Sequence, residues 1–195
     1  HLGGIFSNFI VDGFKEAELI KGAYNAEYGG RLSAVLNVIS REGNQKEFKG
    51  KANISLLSAQ TTLEGPLAKG AWILSGRRTY FDLVLPKVLP DNIASNVPPY
   101  LFYDVQGHIF SDISTKDRLS LSYYTGIDDI VFDTFGLDGR WGNRTISGHW
   151  RRVFSERLVG NFLIANSNFR TFFGLGGDGG LVNDNIIDDS LNTIK

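Results

Sequence analysis

The sequence contains no cysteine and no methionine, and only five of its 195 residues are proline. Without cysteine, the chain can form neither a disulfide framework nor a thiolate metal site. The net charge is −1, so the overall charge gives no reason to expect nucleic acid as a partner. No run of about 18 apolar residues is present, which excludes a typical transmembrane helix. Membrane-crossing strands are not excluded, because their alternating pattern gives a weak hydropathy signal.

Glycine and aromatic residues are plentiful, with 23 Gly, 14 Phe, 7 Tyr and 3 Trp. This composition favours many strands joined by tight turns. The chain opens on His1 without a signal peptide and lacks methionine, so we expect a fragment of a longer protein.

A glycine-punctuated stretch, residues 18–43, precedes a long region of alternating residues. Gly29-Gly30 follows Tyr28, and the apolar run of residues 35–39 is interrupted by Asn37. Glycine pairs mark tight turns, because glycine adopts positive φ without steric cost. The stretch therefore predicts a strand, a glycine turn, a small-residue loop and a second strand.

The same stretch resembles the end of the plug domain in TonB-dependent outer-membrane receptors. In that family an acidic-apolar-basic-Gly step, a Tyr-Gly-Gly segment and a Val-Asn-Ile-type strand follow one another. The matching residues here are Glu18, Lys21 and Gly22, then Tyr28, Gly29, Gly30 and Arg31, and finally Asn37. Many members carry Arg where Lys21 stands. Ser75–Tyr80 is also similar to a strand of the family that follows a Gly-Pro turn.

The resemblance implies a fold that is all-β and mainly antiparallel. Residues 1–46 would be the C-terminal part of the plug domain, a small α+β portion. Residues 47–195 would supply about seven strands, the first of a plugged transmembrane β-barrel that has 22 strands in large transporters.

From Phe48 onwards, apolar and polar residues alternate with the period of two that predicts half-buried strands. The parity changes after Leu57, which indicates a bulge or a hairpin. We expect a hairpin near residues 57–59, because a chain that leaves a periplasmic plug needs one additional pass. We expect Pro66 to end the next strand, since proline cannot donate to a ladder.

The connections predict an orientation. Short turns are expected near residues 66–69, 114–117 and 155–156, and long loops at residues 83–99, 128–139 and 174–189. In outer-membrane barrels the short turns lie in the periplasm and the long loops lie outside the cell.

The alternation also predicts two faces. We expect one set of apolar side chains to face lipid, namely Leu101, Val105, Ile109, Leu119, Leu121 and Ile146. We expect a polar set to face the lumen or the plug, namely Asp104, Gln106, His108, Ser120 and Ser122.

No pattern favours catalysis. Residues 174–179 match G-x-G-x-x-G, but no helical period follows, so a loop is favoured over a dinucleotide site. The three histidines lie on separate segments, and the acidic residues of 128–138 lack calcium-loop spacing. Arg77 and Arg78 would point to opposite faces of a strand, and either could bind an anion or pair with a carboxylate. We expect no enzymatic activity, no metal and no cofactor.

By resemblance, the complete protein would lie in the bacterial outer membrane and take up a scarce ligand such as a siderophore, glycan or peptide. Its partners would be outer-membrane lipid, a TonB-type energy-coupling complex, and a surface lipoprotein or other outer-membrane subunits. Two alternatives remain open: a receptor-like barrel acting as a structural or interaction subunit of an outer-membrane complex, and a soluble β-sandwich binding domain.

Overall fold

The computed structural model describes residues 10–22, 35–55, 57–88, 90, 100–132, 137–175 and 185–194. The strands are β1 (Phe14–Ile20), β2 (Val35–Ser40), β3 (Lys49–Ile54), β4 (Ser58–Leu67), β5 (Gly70–Thr79), β6 (Tyr100–Asp112), β7 (Asp117–Phe132), β8 (Leu137–Ser155), β9 (Leu158–Leu175) and β10 (Asn185–Ile194). A 3₁₀ turn covers Val11–Gly13, and a helix, α1, covers Phe81–Val88. Neither helix is long and apolar enough to cross a membrane, and this holds for the described residues only.

The described strands form two antiparallel sheets. β1 and β2 pair with each other, whereas β3 to β10 form one eight-stranded sheet in which each strand pairs with its neighbours in the chain. The mainly antiparallel, all-β prediction is therefore confirmed, and the large sheet has one strand more than the seven expected. The described part of residues 1–46 holds only the 3₁₀ turn and the β1–β2 pair, so it contains no α-helix.

The hairpin expected after the change of parity is present. Ile54 at the end of β3 pairs with Ala59 of β4, and the backbone N–H of Ser55 donates to the carbonyl oxygen of Ser58. A bulge would have kept both segments in one strand, so the change of parity corresponds to a change of strand.

Pro66 does not end its strand, contrary to the prediction. β4 continues through Pro66, which pairs with Ala71, to Leu67. The ladder between β4 and β3 stops at the pair Glu64–Lys49, so Pro66 lies beyond it on an edge of the sheet. A proline is tolerated there, because no neighbouring strand needs its missing N–H.

The predicted long loops are shorter than expected. A loop was predicted over residues 128–139. Instead, β7 continues to Phe132 and β8 begins at Leu137, so only residues 133–136 separate the two strands. β9 continues to Leu175 and β10 starts at Asn185, inside the predicted loop 174–189. Part of the first loop, residues 83–99, is α1. These strand ends carry glycine and charged residues, which conceal the period of two.

The large sheet has two different faces. On β6 the even-numbered side chains from Tyr100 to Gln106 are buried, while Tyr103 and Ile109 are exposed. We call the side with the buried residues the covered face and the other side the outward face. The register extends this division to the neighbouring strands: Asp104 pairs with Arg77 on one side and with Gly126 on the other.

Candidate functional site on the covered face

The N-terminal segment docks on the covered face through buried backbone. Ile10 is fully buried, and its carbonyl oxygen accepts a hydrogen bond from Nε2 of Gln106 at 3.1 Å. Gly13 lies directly against the same amide, and a Cβ atom at this position would be 1.2 Å from Nε2. Only glycine permits so close an approach without displacing Gln106.

Charged groups hold the same segment at the β3–β4 edge. The carboxylate of Asp12 accepts from Nζ of Lys51 and from Nε2 of Gln60, each at 2.7 Å. The guanidinium of Arg41 donates to the carbonyl oxygen of Asp12 at 2.7 Å and to both carboxylate oxygens of Glu64, at 3.2 and 3.1 Å. We call this group the docking cluster.

A second group of charges lies near the β6–β7 turn. Arg118 donates to Glu42 at 2.9 Å and to Asp112 at 2.6 Å. The chain then turns at Gly43, whose φ is +85° and whose absent Cβ leaves room for the carbonyl oxygen of Trp72. Contacts with β3 to β7 therefore hold residues 10–13 and 41–43 against the sheet.

The β6–β7 turn is itself a hydrogen-bonded unit. The Ser114 hydroxyl donates to Asp117 at 2.8 Å, and Nε1 of Trp150 donates to the same carboxylate at 3.1 Å. The hydrogen bond from Ser114 is the main cause that lowers the pKa of Asp117 below its usual value. The pKa of Asp112 is lowered mainly by its hydrogen bond from Arg118.

A buried ion pair lies deeper on the covered face. Arg77 pairs with Asp104, with Nε 2.9 Å from Oδ2, and Asp104 is fully buried. The Tyr124 hydroxyl donates to Oδ1 of the same carboxylate at 3.2 Å, and the Arg77 guanidinium lies 4.9 Å from the centre of the Phe102 ring. Opposed charge and several donors compensate the cost of burying the carboxylate.

A small cavity lies between the docked segment and the sheet. Its volume is about 60 Å³, and its lining includes Gly13, Gln106, His108 and Ser122. The side-chain oxygen of Gln106 has no hydrogen-bond partner, whereas Nδ1 of His108 lies 2.8 Å from the Ser122 hydroxyl. The unpartnered oxygen therefore belongs to a residue that lines this cavity.

The polar residues predicted from the alternation come together on this face. Asp104, Gln106, His108 and Ser122 all take part in the contacts above, and Ser120 lies on the same face with its hydroxyl 3.5 Å from the His149 carbonyl oxygen. The six residues expected to face lipid lie on the outward face, and of these Ile109, Leu119, Leu121 and Ile146 are exposed.

The described motif residues, Glu18, Lys21, Gly22 and Asn37, do not join this site. Glu18 pairs with Asn37 in the β1–β2 ladder, and Lys21 and Gly22 follow β1 as exposed residues. Tyr28, Gly29, Gly30 and Arg31 lie outside the described residues.

The docking cluster was not predicted from the sequence. Asp12, Arg41 and Glu64 are separated along the chain and follow no motif, so only the fold reveals their proximity. The pairing of Arg77 with a carboxylate was one of the two alternatives, and Arg78 lies on the opposite, exposed face. Within the described ranges, no three His, Asp or Glu side chains form a group that could hold a metal ion.

Comparison with known proteins gives no match to any family model, to any curated protein or to any solved structure.

Proposed function

We propose that the chain is part of a TonB-dependent outer-membrane receptor, in which residues 10–46 belong to the plug and β3 to β10 belong to the barrel wall. One observation carries the proposal: one face of the sheet makes polar contacts with the N-terminal segment, and the other face presents apolar side chains. Hydrogen bonds and ion pairs hold the N-terminal segment on the covered face. The outward face presents apolar side chains on neighbouring strands, including Ile109, Leu121 and Ile146.

The height of the uncharged part of the outward face on β7 supports a position in the membrane. The outward side chains from Leu119 to Ile127 are uncharged, and Asp129 is the next outward residue. Eight residue steps of about 3.4 Å, in a strand tilted by about 40°, rise about 21 Å. Outer-membrane barrels have an apolar band about 25 Å tall, flanked by aromatic residues. Trp150 and Phe162 stack on the same outward face near one end of this band, with ring centres 5.0 Å apart.

The polar character of the docked segment supports a gating role. When the segment leaves the sheet, water can replace its hydrogen bonds, so the net cost of each is about 0.5–1.5 kcal/mol. A mainly apolar interface would instead resist separation in proportion to its area. In the proposed mechanism, a TonB-type complex of the inner membrane supplies the energy that displaces the plug, and a scarce ligand bound from outside passes through the barrel.

Tethering the segment to the sheet tests this mechanism. Asp12 and Gln60 lie on the two sides of the interface, and the chain has no native cysteine. The complete receptor carrying Asp12→Cys and Gln60→Cys would be bridged with a short bis-methanethiosulfonate reagent in a strain whose growth requires the receptor. We expect bridging to stop growth and a reducing agent to restore it.

The two single-cysteine variants, treated in the same way, control for modification without bridging and should support growth throughout. If the bridged double variant still supports growth, the segment does not need to move, and the structural-subunit alternative is favoured. If the complete protein is recovered as a soluble monomer and not in the outer membrane, the soluble binding domain is favoured.

A further inference from the structure

A basic cleft lies at the short-turn end of the large sheet. Its volume is about 760 Å³, and its lining comes mainly from the β4–β5 turn, the β6–β7 turn and the end of β8. The charged side chains of this lining are four cations and two carboxylates, namely Lys69, Lys116, Arg118, Arg151, Asp112 and Asp117. The cations therefore exceed the carboxylates by two, although the whole chain has a net charge of −1.

Backbone hydrogen bonds hold the parts of the cleft together. The N–H of Asp112 donates to the carbonyl oxygen of Lys69 at 2.7 Å, which joins β6 to the β4–β5 turn. The N–H of Val153 donates to the carbonyl oxygen of Lys116 at 2.8 Å, which joins β8 to the β6–β7 turn. The fold therefore fixes the backbone that carries the basic residues, and such preorganisation lowers the entropic cost of binding a ligand.

Two guanidinium groups are neighbours in this cleft. Arg118 of β7 pairs in register with Arg151 of β8, and both line the cleft. Side chains that lie directly opposite each other have Cβ atoms about 4.5–5.5 Å apart, and like charges in this position repel each other. Arg118 is compensated, because its Nε and Nη2 donate to Asp112 and its Nη1 donates to Glu42. Arg151 is exposed and forms no ion pair with any carboxylate of the described residues.

Glu42 links the cleft to the N-terminal segment. Its side chain is 51% exposed while it pairs with Arg118, so a carboxylate from another molecule can reach the same guanidinium. In the cleft, that carboxylate would also compensate Arg151. The cleft is much larger than one small anion, and Lys69 and Lys116 extend its positive charge. A peptide with several carboxylates therefore fits the size and the charge of the cleft better than a single ion.

We propose that this cleft binds a carboxylate-rich peptide segment of a periplasmic protein, which takes the place of Glu42 on Arg118 and compensates Arg151. The inference rests on the proposed function, because only the proposed orientation makes this end of the sheet face the periplasm. Since the peptide and Glu42 compete for one guanidinium, the peptide binds more tightly when the N-terminal segment has left the sheet. By thermodynamic linkage, the bound peptide favours the displaced segment by the same factor.

The test uses the complete receptor in lipid nanodiscs, with a fluorescent oligoglutamate peptide as the probe and fluorescence anisotropy as the measurement. We expect Arg151→Gln to weaken binding about threefold, as for the loss of one exposed ion pair. Added salt should weaken binding further, because it screens exposed charges. Arg157→Gln makes the same charge change in the adjacent β8–β9 turn, outside the lining of the cleft, and should have no effect.

Competition with the N-terminal segment gives a second readout. Glu42→Gln removes the competing carboxylate, so we expect it to tighten peptide binding about threefold. Glu156→Gln makes the same charge change in the β8–β9 turn and should leave the affinity unchanged. In the receptor that is bridged through Asp12→Cys and Gln60→Cys, the segment cannot leave. We therefore expect weaker peptide binding before the bridge is reduced than afterwards.

Several results would overturn the proposal. Equal affinities of Arg151→Gln and Arg157→Gln would do so, as would equal binding of an oligoglutamine peptide of the same length. Displacement of the probe by inorganic phosphate at a matched concentration of charge would show that the cleft binds a free anion and not a peptide. An affinity that responds neither to Glu42→Gln nor to bridging would overturn the competition with the segment. Failure of the complete receptor to insert into a bilayer would overturn the proposed function as well, whereas insertion without these differences in peptide binding would overturn this inference alone.

Discussion

Asp104 shows at the scale of one residue how the covered face accommodates charge. Its carboxylate is fully buried, while the side chain of its partner Arg77 is 11% exposed. A buried ion pair contributes little net stability, because desolvation of the two ions offsets their attraction. Removing one partner is costly, since the other charge then remains buried without compensation.

We therefore expect Asp104→Ala in the complete receptor to lower the free energy of unfolding by about 3–5 kcal/mol, as measured by urea-induced unfolding in lipid vesicles. Asp129→Ala is the matched control: it removes the carboxylate from the outward pair with Arg140, whose side chain is 65% exposed. That change should cost about 0–1 kcal/mol, because exposed pairs are weak. Equal losses in the two variants would contradict the assignment of Asp104 to a buried site.

The Asp117 carboxylate makes the stability of the β6–β7 turn dependent on pH. The folded state lowers the pKa of this group, chiefly through the hydrogen bond from Ser114, so the carboxylate stabilises the fold above its ordinary pKa of 3.8. This contribution is lost as the pH falls through the lower, folded-state pKa. We expect Asp117→Asn to lower the urea midpoint at pH 7, and we expect the difference from the unchanged receptor to shrink under strongly acidic conditions. A difference that does not depend on pH would show that the carboxylate charge has no part in the effect.

At the scale of the strand, adjacent residues of β7 test the two faces. Leu121 is 48% exposed on the outward face, whereas Ser120 lies on the covered face. Under the proposed function the outward face contacts lipid, where arginine near the middle of the bilayer costs about 2–4 kcal/mol. We expect Leu121→Arg to lower the free energy of unfolding by this amount, and Ser120→Arg to cost much less, because the covered face is polar. Urea titration in vesicles measures both, and equal losses would contradict the assignment of the faces.

The alternation of side chains was sufficient to predict the strands within the band but not their ends. Leu119, Leu121 and Ile146 lie on one common face, because one side of the sheet there is apolar and the other is polar. Contact of that face with lipid stays a prediction. Beyond the band, Asp129 and Arg140 are outward and charged, so the period of two disappears although the ladder continues. The prediction that Pro66 ends its strand was wrong. A strand tolerates proline where no neighbouring strand pairs with it, and this depends on where β3 ends, which the sequence around Pro66 does not show.

The identity of long-range partners could not be predicted from the local sequence. The faces of β9 were ambiguous in the sequence, since both sets of side chains near its start are apolar. The register resolves them by placing Phe162 opposite the outward Trp150. In the same way, Arg41 and Glu64 meet only because β3 and β4 place Glu64 near the β1–β2 pair.

For the whole molecule, the proposed position in the outer membrane would place the two ends of the sheet on opposite sides of that membrane. Turns near Lys69, Lys116 and Glu156 join strands at one end, and Asp138 lies at the other end, near the start of β8. Asn92 and Gly177, which were also expected on the outer side, lie outside the described residues. We expect cysteine at Asp138 to react on intact cells with a thiol reagent that cannot cross the outer membrane. Cysteine at Lys116 or Glu156 should react only after that membrane is opened.

The unchanged receptor controls for background, since this part of the chain has no cysteine. The reverse pattern of labelling would invert the orientation. Labelling of all three sites on intact cells would argue against any membrane barrier between the two ends of the sheet.

The order of the strands has a consequence for the time course of folding. Each strand of the large sheet pairs with its neighbour in the chain, so the sheet can grow by one hairpin at a time with little loop entropy lost at each step. The contact between Ile10 and Gln106 spans 96 residues and requires β6 to be in place. Synthesis from the N-terminus therefore produces the docking segment before any of its binding surface exists. Within this chain, the docking segment is made before the large sheet but completes its contact with Gln106 only after β6 is in place.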